Sequence, residues 1–116
     1  MVGDNSVSAE PSLEQLPDLL DSQARLLVAM ANEKRLQILK IISEKEMGVG
    51  ELAMQVGLSQ SALSQHLAKL RADALVTARR ESQTIYYSTQ HVGVRRILST
   101  LEELYSKAEP GTGVAS

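Results

Sequence analysis

At 116 residues the chain is long enough for one domain with a single core and short for two. With no Phe, Trp or Cys, the core must come from Leu, Ile and Val, and disulfides, thiolate metal sites and thiol redox switching are excluded. The net charge of −2 hides a gradient: residues 1–31 carry five acids against Arg25, whereas residues 59–87 carry Lys69, Arg71, Arg79 and Arg80 against Asp73 and Glu81. It is local charge that a partner meets.

The opening stretch "MVGDNSVSAEPS" is polar and acidic, without the basic and apolar regions of a secretory leader. The longest apolar run, residues 26–31, is far below the ~20 residues that span a bilayer. A cytoplasmic, nucleoid-associated protein with no membrane partner is therefore expected. Residues 1–15 and 108–116 ("AEPGTGVAS") read as flexible tails around one domain at 16–107.

A first helix is predicted from Pro17 or Asp18 to Ala31, with proline in its first turn and acids at its positive end. Asn32 is a good N-cap for a second helix at about 33–45, which buries Leu36, Ile38, Leu39 and Ile42. A third, short helix at about 50–56 stops at Gly57, which tolerates left-handed geometry. Ser59 caps a fourth at about 60–74. Only Gly57 and Leu58 separate the third helix from that cap, the length and chemistry of the turn in a helix-turn-helix.

Past Ala74, "LVTARRESQTIYYS" reads as a hairpin with a polar tip at residues 81–83. A last helix at about 90–107 spaces Val94, Ile97, Leu98, Leu101, Leu104 and Tyr105 along one face. The expected fold is mainly α with a small β-hairpin wing: a winged helix-turn-helix in the order α-α-α-α-β-β-α. Its terminal helices leave apolar faces, including Leu19, Leu20 and Leu27, that so small a domain cannot cover alone. Those faces, with the last helix from Val94 to Tyr105, predict a homodimer.

The fourth helix carries the functional signal. On a helical wheel Leu63, Leu67, Leu70 and Ala74 share one side, and Ser61, Ser64, Gln65, Ala68 and Ala72 the other. A solvated helix normally uses Glu and Lys, whereas Ser and Gln make short, directional hydrogen bonds. A small, neutral face of this kind can enter a major groove closely. In a helix-turn-helix the first residues of the second helix reach base edges, which makes Gln60, Ser61, Ser64 and Gln65 the candidate readers. Ser59 at the helix start, Lys69 and Arg71 at the edges of the face suit phosphates. His66, on the flank of the leucines, reads better as a packing residue than as a base reader.

"MANEKRLQIL", "ELAMQVGLSQSALSQHLAKLR" and "LVTARRESQTIYY" together resemble the ArsR/SmtB family of bacterial repressors, over about residues 24–88, in motif order and spacing. The resemblance implies a symmetric dimer joined through the first and last helices, with the fourth helices in successive major grooves of a double-stranded operator. It assigns Arg79, Arg80, Gln83 and Thr84 to the wing, against phosphates or the minor groove.

Two positions depart from the family pattern. Many relatives have glycine then arginine at the wing tip, where this chain has Ser82 and Gln83. Metal-sensing relatives carry a pattern like E-L-C-V-C-D-L, where this chain reads residues 46–52 as "EMGVGEL", with glycine at both thiolate positions. His91 on the last helix has no second histidine beside it. No metal and no cofactor is expected. Catalysis is not expected either, since a phosphate loop, a thiol and a histidine-carboxylate constellation are all missing. The alternatives are a winged helix that binds protein rather than DNA, and a repressor answering to an unidentified small molecule.

Overall fold

In a computed structural model of the chain, residues 12–106 are described. The elements run α1 (Leu16–Met30), α2 (Glu33–Glu44), β1 (Met47–Gly48), α3 (Val49–Val56), α4 (Gln60–Ala72), β2 (Thr77–Glu81), β3 (Thr84–Ser88) and α5 (Val92–Tyr105). The tail expected at 108–116 lies outside the described residues, as does the one at 1–15 except for a turn at its end. There Ser12 and Gln15 exchange side-chain to backbone hydrogen bonds of 3.3 Å, a reciprocal arrangement that leads the chain into α1.

The helix boundaries follow local chemistry. Asn32 accepts a bond from the Arg35 amide at 3.0 Å and Ser59 one from the Ala62 amide at 3.1 Å, so both predicted N-caps are formed. Gly57 takes φ 70° at the end of α3, where an L side chain would be strained. His91, at the start of the last helix, caps α5 through Nδ1, which accepts from the Val94 amide at 3.1 Å.

Three differences from the sequence-based expectation have physical causes. Helix α4 ends at Ala72 rather than residue 74. Ala74 turns left-handed (φ 60°) and is exposed, while the Leu75 and Ala74 amides donate to the Leu70 and Arg71 carbonyls at 2.9 Å. This is the paired-bond ending of a Schellman motif, with alanine where glycine is usual. It swings Leu75, rather than Ala74, into the core. A strand the sequence did not announce, β1, pairs Met47 with Tyr87 and Gly48 with Tyr86, making a three-stranded antiparallel sheet in the order β1-β3-β2. Val94, expected at a subunit interface, is wholly buried in its own chain's core and presents no surface to a partner.

The core unites Ile38, Leu39 and Ile42 of α2, Leu52 and Val56 of α3, Leu63, Leu67 and Leu70 of α4, and Val94 of α5, all nearly solvent-free. Burying a large aliphatic side chain contributes about 1.5–3 kcal/mol, so the helix-turn-helix is anchored chiefly by these residues. The wing is stitched to that core at its exit. Buried Thr89 donates through Oγ1 to the Leu75 carbonyl at 2.6 Å, and its amide donates to the Ile42 carbonyl at 3.3 Å.

Candidate nucleic-acid interface

Helix α4 shows the two-sided character that its spacing predicts. Leu63, Leu67 and Leu70 are buried, while Gln60, Ser61, Ser64, Gln65, Ala68, Lys69, Arg71 and Ala72 are exposed. The sorting arises because a period near 3.6 places residues three or four apart on one face. The turn before it is short because the Leu58 amide donates to the Ala53 carbonyl at 3.0 Å and Gly57 supplies the reversal. Lys34 donates from Nζ to the Val56 carbonyl at 2.6 Å, which satisfies one of the carbonyls left open at the end of α3.

The outward face of α4 carries no acid. Ser59 spends its hydroxyl on the cap, whereas the side chains of Ser61, Ser64 and Gln65 hold no hydrogen bond to other described residues. The Gln60 amide nitrogen lies 4.0 Å from the point that a Cβ on Gly50 would occupy. Gln60 thus rests beside the first turn of α3. His66 is half-buried, with Nδ1 3.5 Å from Nη1 of Arg35, whose Nε donates to the Ala29 carbonyl at 2.7 Å. Its surroundings are those of a packing residue at the meeting point of α1, α2 and α4.

In the wing, residue alternation puts Thr77, Arg79 and Glu81 on one face of β2 and Ala78 and Arg80 on the other. The two arginines, paired in the sequence, are in different situations. Arg80 is exposed and has no ion pair with any described residue. Arg79 donates from Nε and Nη2 to both carboxylate oxygens of Glu46 and from Nη1 to Glu81, each at 2.8 Å, and its guanidinium lies 4.9 Å from the centre of the Tyr86 ring. Hydrogen bonding from Arg79 holds the Glu46 carboxyl below its ordinary range, and the bonds to Glu46 and then Glu81 raise the guanidinium's pKa further. Arg79, which the family resemblance assigns to the wing against phosphate or the minor groove, thus meets carboxylates of its own chain on three sides of its guanidinium. Glu46 is the residue that sequence reasoning missed. It stands 33 residues from Arg79, and no spacing rule joins the two.

At the wing tip Ser82 adopts φ 57°. Hairpin loops that need a left-handed first residue favour glycine, which accounts for the glycine many relatives carry there. Gln83 is exposed at the tip, and Thr84 is half-buried where β3 begins.

Away from this surface, the terminal helices leave large apolar side chains open: Leu20 is 54% exposed, Leu27 55%, Leu104 69% and Tyr105 83%, with Leu19 at 37%. Ile97, Leu98 and Leu101 are half-buried, and a hollow between α2 and α5 is lined by Leu36, Leu98, Leu101 and Tyr105. Among the described residues no helix is long and apolar enough to cross a membrane, and no group of three or more His, Asp or Glu is gathered as metal ligands are.

Comparison with known proteins agrees with this geometry. Residues 32–78, from the cap of α2 to the start of the wing, match the bacterial regulatory protein arsR family. The nodulation protein NolR of Rhizobium meliloti is 51% identical over 100 residues, spanning 83% of this chain and 82% of that one. The transcriptional activator HlyU of Vibrio cholerae is 52% identical over 83 residues, 72% of this chain and 77% of that one. The crystal structure of NolR from Sinorhizobium fredii superposes with a TM-score of 0.77 at 52% identity, over 85% of this chain and 99% of that one. A homodimeric winged helix-turn-helix DNA-binding domain from Mycobacterium bovis superposes with a TM-score of 0.71 at 32% identity, over 88% of this chain and 98% of that one.

Proposed function

The chain belongs to the ArsR family of bacterial regulatory proteins, and from that premise we propose that it is a homodimeric repressor that reads an imperfect inverted-repeat operator in double-stranded DNA. The observation that carries the proposal is the exposed, acid-free Ser/Gln face of α4 behind a fully buried leucine row. Glutamine can pair in bidentate fashion with adenine N6 and N7, and serine with several bases, each good pair giving ~1–3 kcal/mol of discrimination. Gln60, Ser61, Ser64 and Gln65 are the proposed readers. Ser59, Lys69, Arg71 and Arg80 are the proposed phosphate contacts, with Gln83 and Thr84 at the tip of the wing.

The dimer is supported by the open leucines of α1 and α5, and by the homodimeric M. bovis domain of the same architecture. A second copy laid across Leu20, Leu27, Leu104 and Tyr105 would cover apolar side chains that the terminal helices leave in water and also close the hollow beside Leu98 and Leu101. Two-fold symmetry would set the two α4 helices roughly 34 Å apart, one turn of B-DNA. Bound there, the dimer blocks polymerase. The likeness to a nodulation protein makes nodulation-related genes the first candidate targets.

The test is selection of bound fragments from a genomic pool, followed by titration of the recovered duplex at two salt concentrations. An inverted repeat bound with a steep loss of affinity at higher salt supports the reading, because phosphate contacts release counterions. Flat, negligible binding assigns the fold to protein–protein contact. Sedimentation should give two chains per particle, and Leu20→Glu should give one.

A further inference from the structure

The wing's two arginines invite a single role, but the fold treats them as opposites. Across the sheet, Gly48, Tyr86 and Arg79 are register partners on the outward face. The Tyr86 ring forms a floor under the Arg79 guanidinium. That floor lies close over β1: a Cβ on Gly48 would come within 3.2 Å of the Thr84 methyl and 3.4 Å of Tyr86 Cε1. Guided across the ring, Arg79 meets Glu46 immediately before β1 with a two-point fork, and Glu81 on its own strand with a third bond. Three of the five guanidinium N–H groups are occupied by carboxylate oxygens.

We propose that Glu46, Arg79 and Glu81 form a charge latch that withholds Arg79 from phosphate and leaves Arg80 as the wing's DNA-binding cation. One cation against two carboxylates sums to −1, so this face of the wing brings no net positive charge to a duplex. Freeing Arg79 means giving up a two-point fork and a third bond together, and because these pairs are partly exposed and screened by salt the latch holds best at low ionic strength. The latch thus limits the electrostatic affinity that every DNA sequence shares and leaves sequence choice to α4. Arg79 and Glu46 act as positioning residues, since they touch each other and the wing rather than DNA. This inference rests on the DNA-binding reading above.

The test uses the full chain and a fluorescent random-sequence duplex, titrated over a series of salt concentrations. Arg80→Gln should flatten the plot of log K against log salt by about 0.9, the value of one phosphate contact. Arg79→Gln should leave that slope unchanged. Glu46→Gln with Glu81→Gln should tighten binding several-fold at low salt and steepen the slope by about 0.9, because Arg79 is now free. Adding Arg79→Gln to that pair should restore the wild-type slope. A merely structural ion pair would instead weaken binding when broken and would not steepen the slope. The proposal is overturned if Arg79→Gln flattens the slope, or if removing both carboxylates fails to steepen it. Should wild-type protein bind no duplex at all, the DNA reading itself is lost. The latch is then judged by carboxyl NMR: Arg79→Gln should return the Glu46 titration to its ordinary range, and an unmoved titration overturns it.

Discussion

Helix α4 and the β2–β3 wing each present an exposed polar surface, backed by different forces. Behind α4 stand Leu63, Leu67 and Leu70, all essentially solvent-free. Behind the outward face of the wing stand a tyrosine ring and a set of exposed ion pairs. Hydrophobic burial is insensitive to moderate salt, whereas exposed ion pairs are screened over about 10 Å at ordinary ionic strength. One surface therefore offers acid-free hydrogen-bonding groups backed by a buried leucine row, and the other carries carboxylates and guanidiniums whose pairing is sensitive to salt. A reader that must align hydrogen bonds within tenths of an ångström needs the first kind of support. A surface that tunes general attraction can use the second.

The contrast is broken most severely from inside the helix. Leu67→Ala removes a buried side chain and leaves a cavity, so urea denaturation should show a loss of about 3 kcal/mol, within the 2–5 kcal/mol range of such changes. If the loss were below about 1 kcal/mol, α4 would not depend on its leucine row in the way described.

A sharper comparison comes from the helix's outer face. Gln65→Ala should cost ~1–3 kcal/mol of discrimination between operator and scrambled duplex in competition titrations. The melting temperature and salt slope should stay where they are, because the residue is exposed and uncharged. An equal loss of affinity for operator and scrambled duplex would move Gln65 from the readers to the phosphate contacts.

Smaller again is the cap. Ser59→Ala loses the bond to the Ala62 amide and should lower stability by about 1 kcal/mol, with Ser59→Gly losing only a few tenths. An equal loss from both would point away from capping.

At the wing tip the sign reverses. Ser82 holds φ 57°, so Ser82→Gly should relieve left-handed strain and raise stability by about 0.5 kcal/mol after the added freedom of the unfolded chain is counted.

The smallest effect separates the wing from the helix by pH. The folded-state pKa of Glu46 is lowered from 4.5, so between the folded and unfolded values the unfolded chain binds more protons. Stability from this group is present above pH 4.5 and lost as pH falls through the depressed value. Thermal melts of wild type and Glu46→Gln should converge as the pH falls through that window and differ above it. α4 has no acid on its outer face to produce such a dependence.

Much of the architecture was legible in local pattern. Leucines three and four apart announced α4, and Asn32, Gly57 and Ser59 marked helix ends through side-chain and backbone chemistry that acts within four residues. The hairpin was legible because β-branched and aromatic residues flanked a polar tip. The exposed Ser/Gln face followed directly from the wheel, since burying the leucines forces the opposite side outward. What local pattern could not supply was anything that depends on which distant segments lie side by side. Val94 sits on the same helical spacing as Ile97 and Leu101, and only the packing of α5 on the core turns it inward and leaves its neighbours partly open.

The sequence by itself determined the helices, the turn between α3 and α4, and the chemical character of the face that α4 shows to solvent, because helix period and capping are short-range effects. The tertiary structure alone decided the electrostatic state of the wing. Two adjacent arginines read as equal from the chain, but strand pairing of β1 with β3 brings Glu46 within 2.8 Å of one and leaves the other without an ion pair among the described residues. Charge is additive along a sequence, but its effect depends on distance in space, and that distance exists only once the sheet has formed.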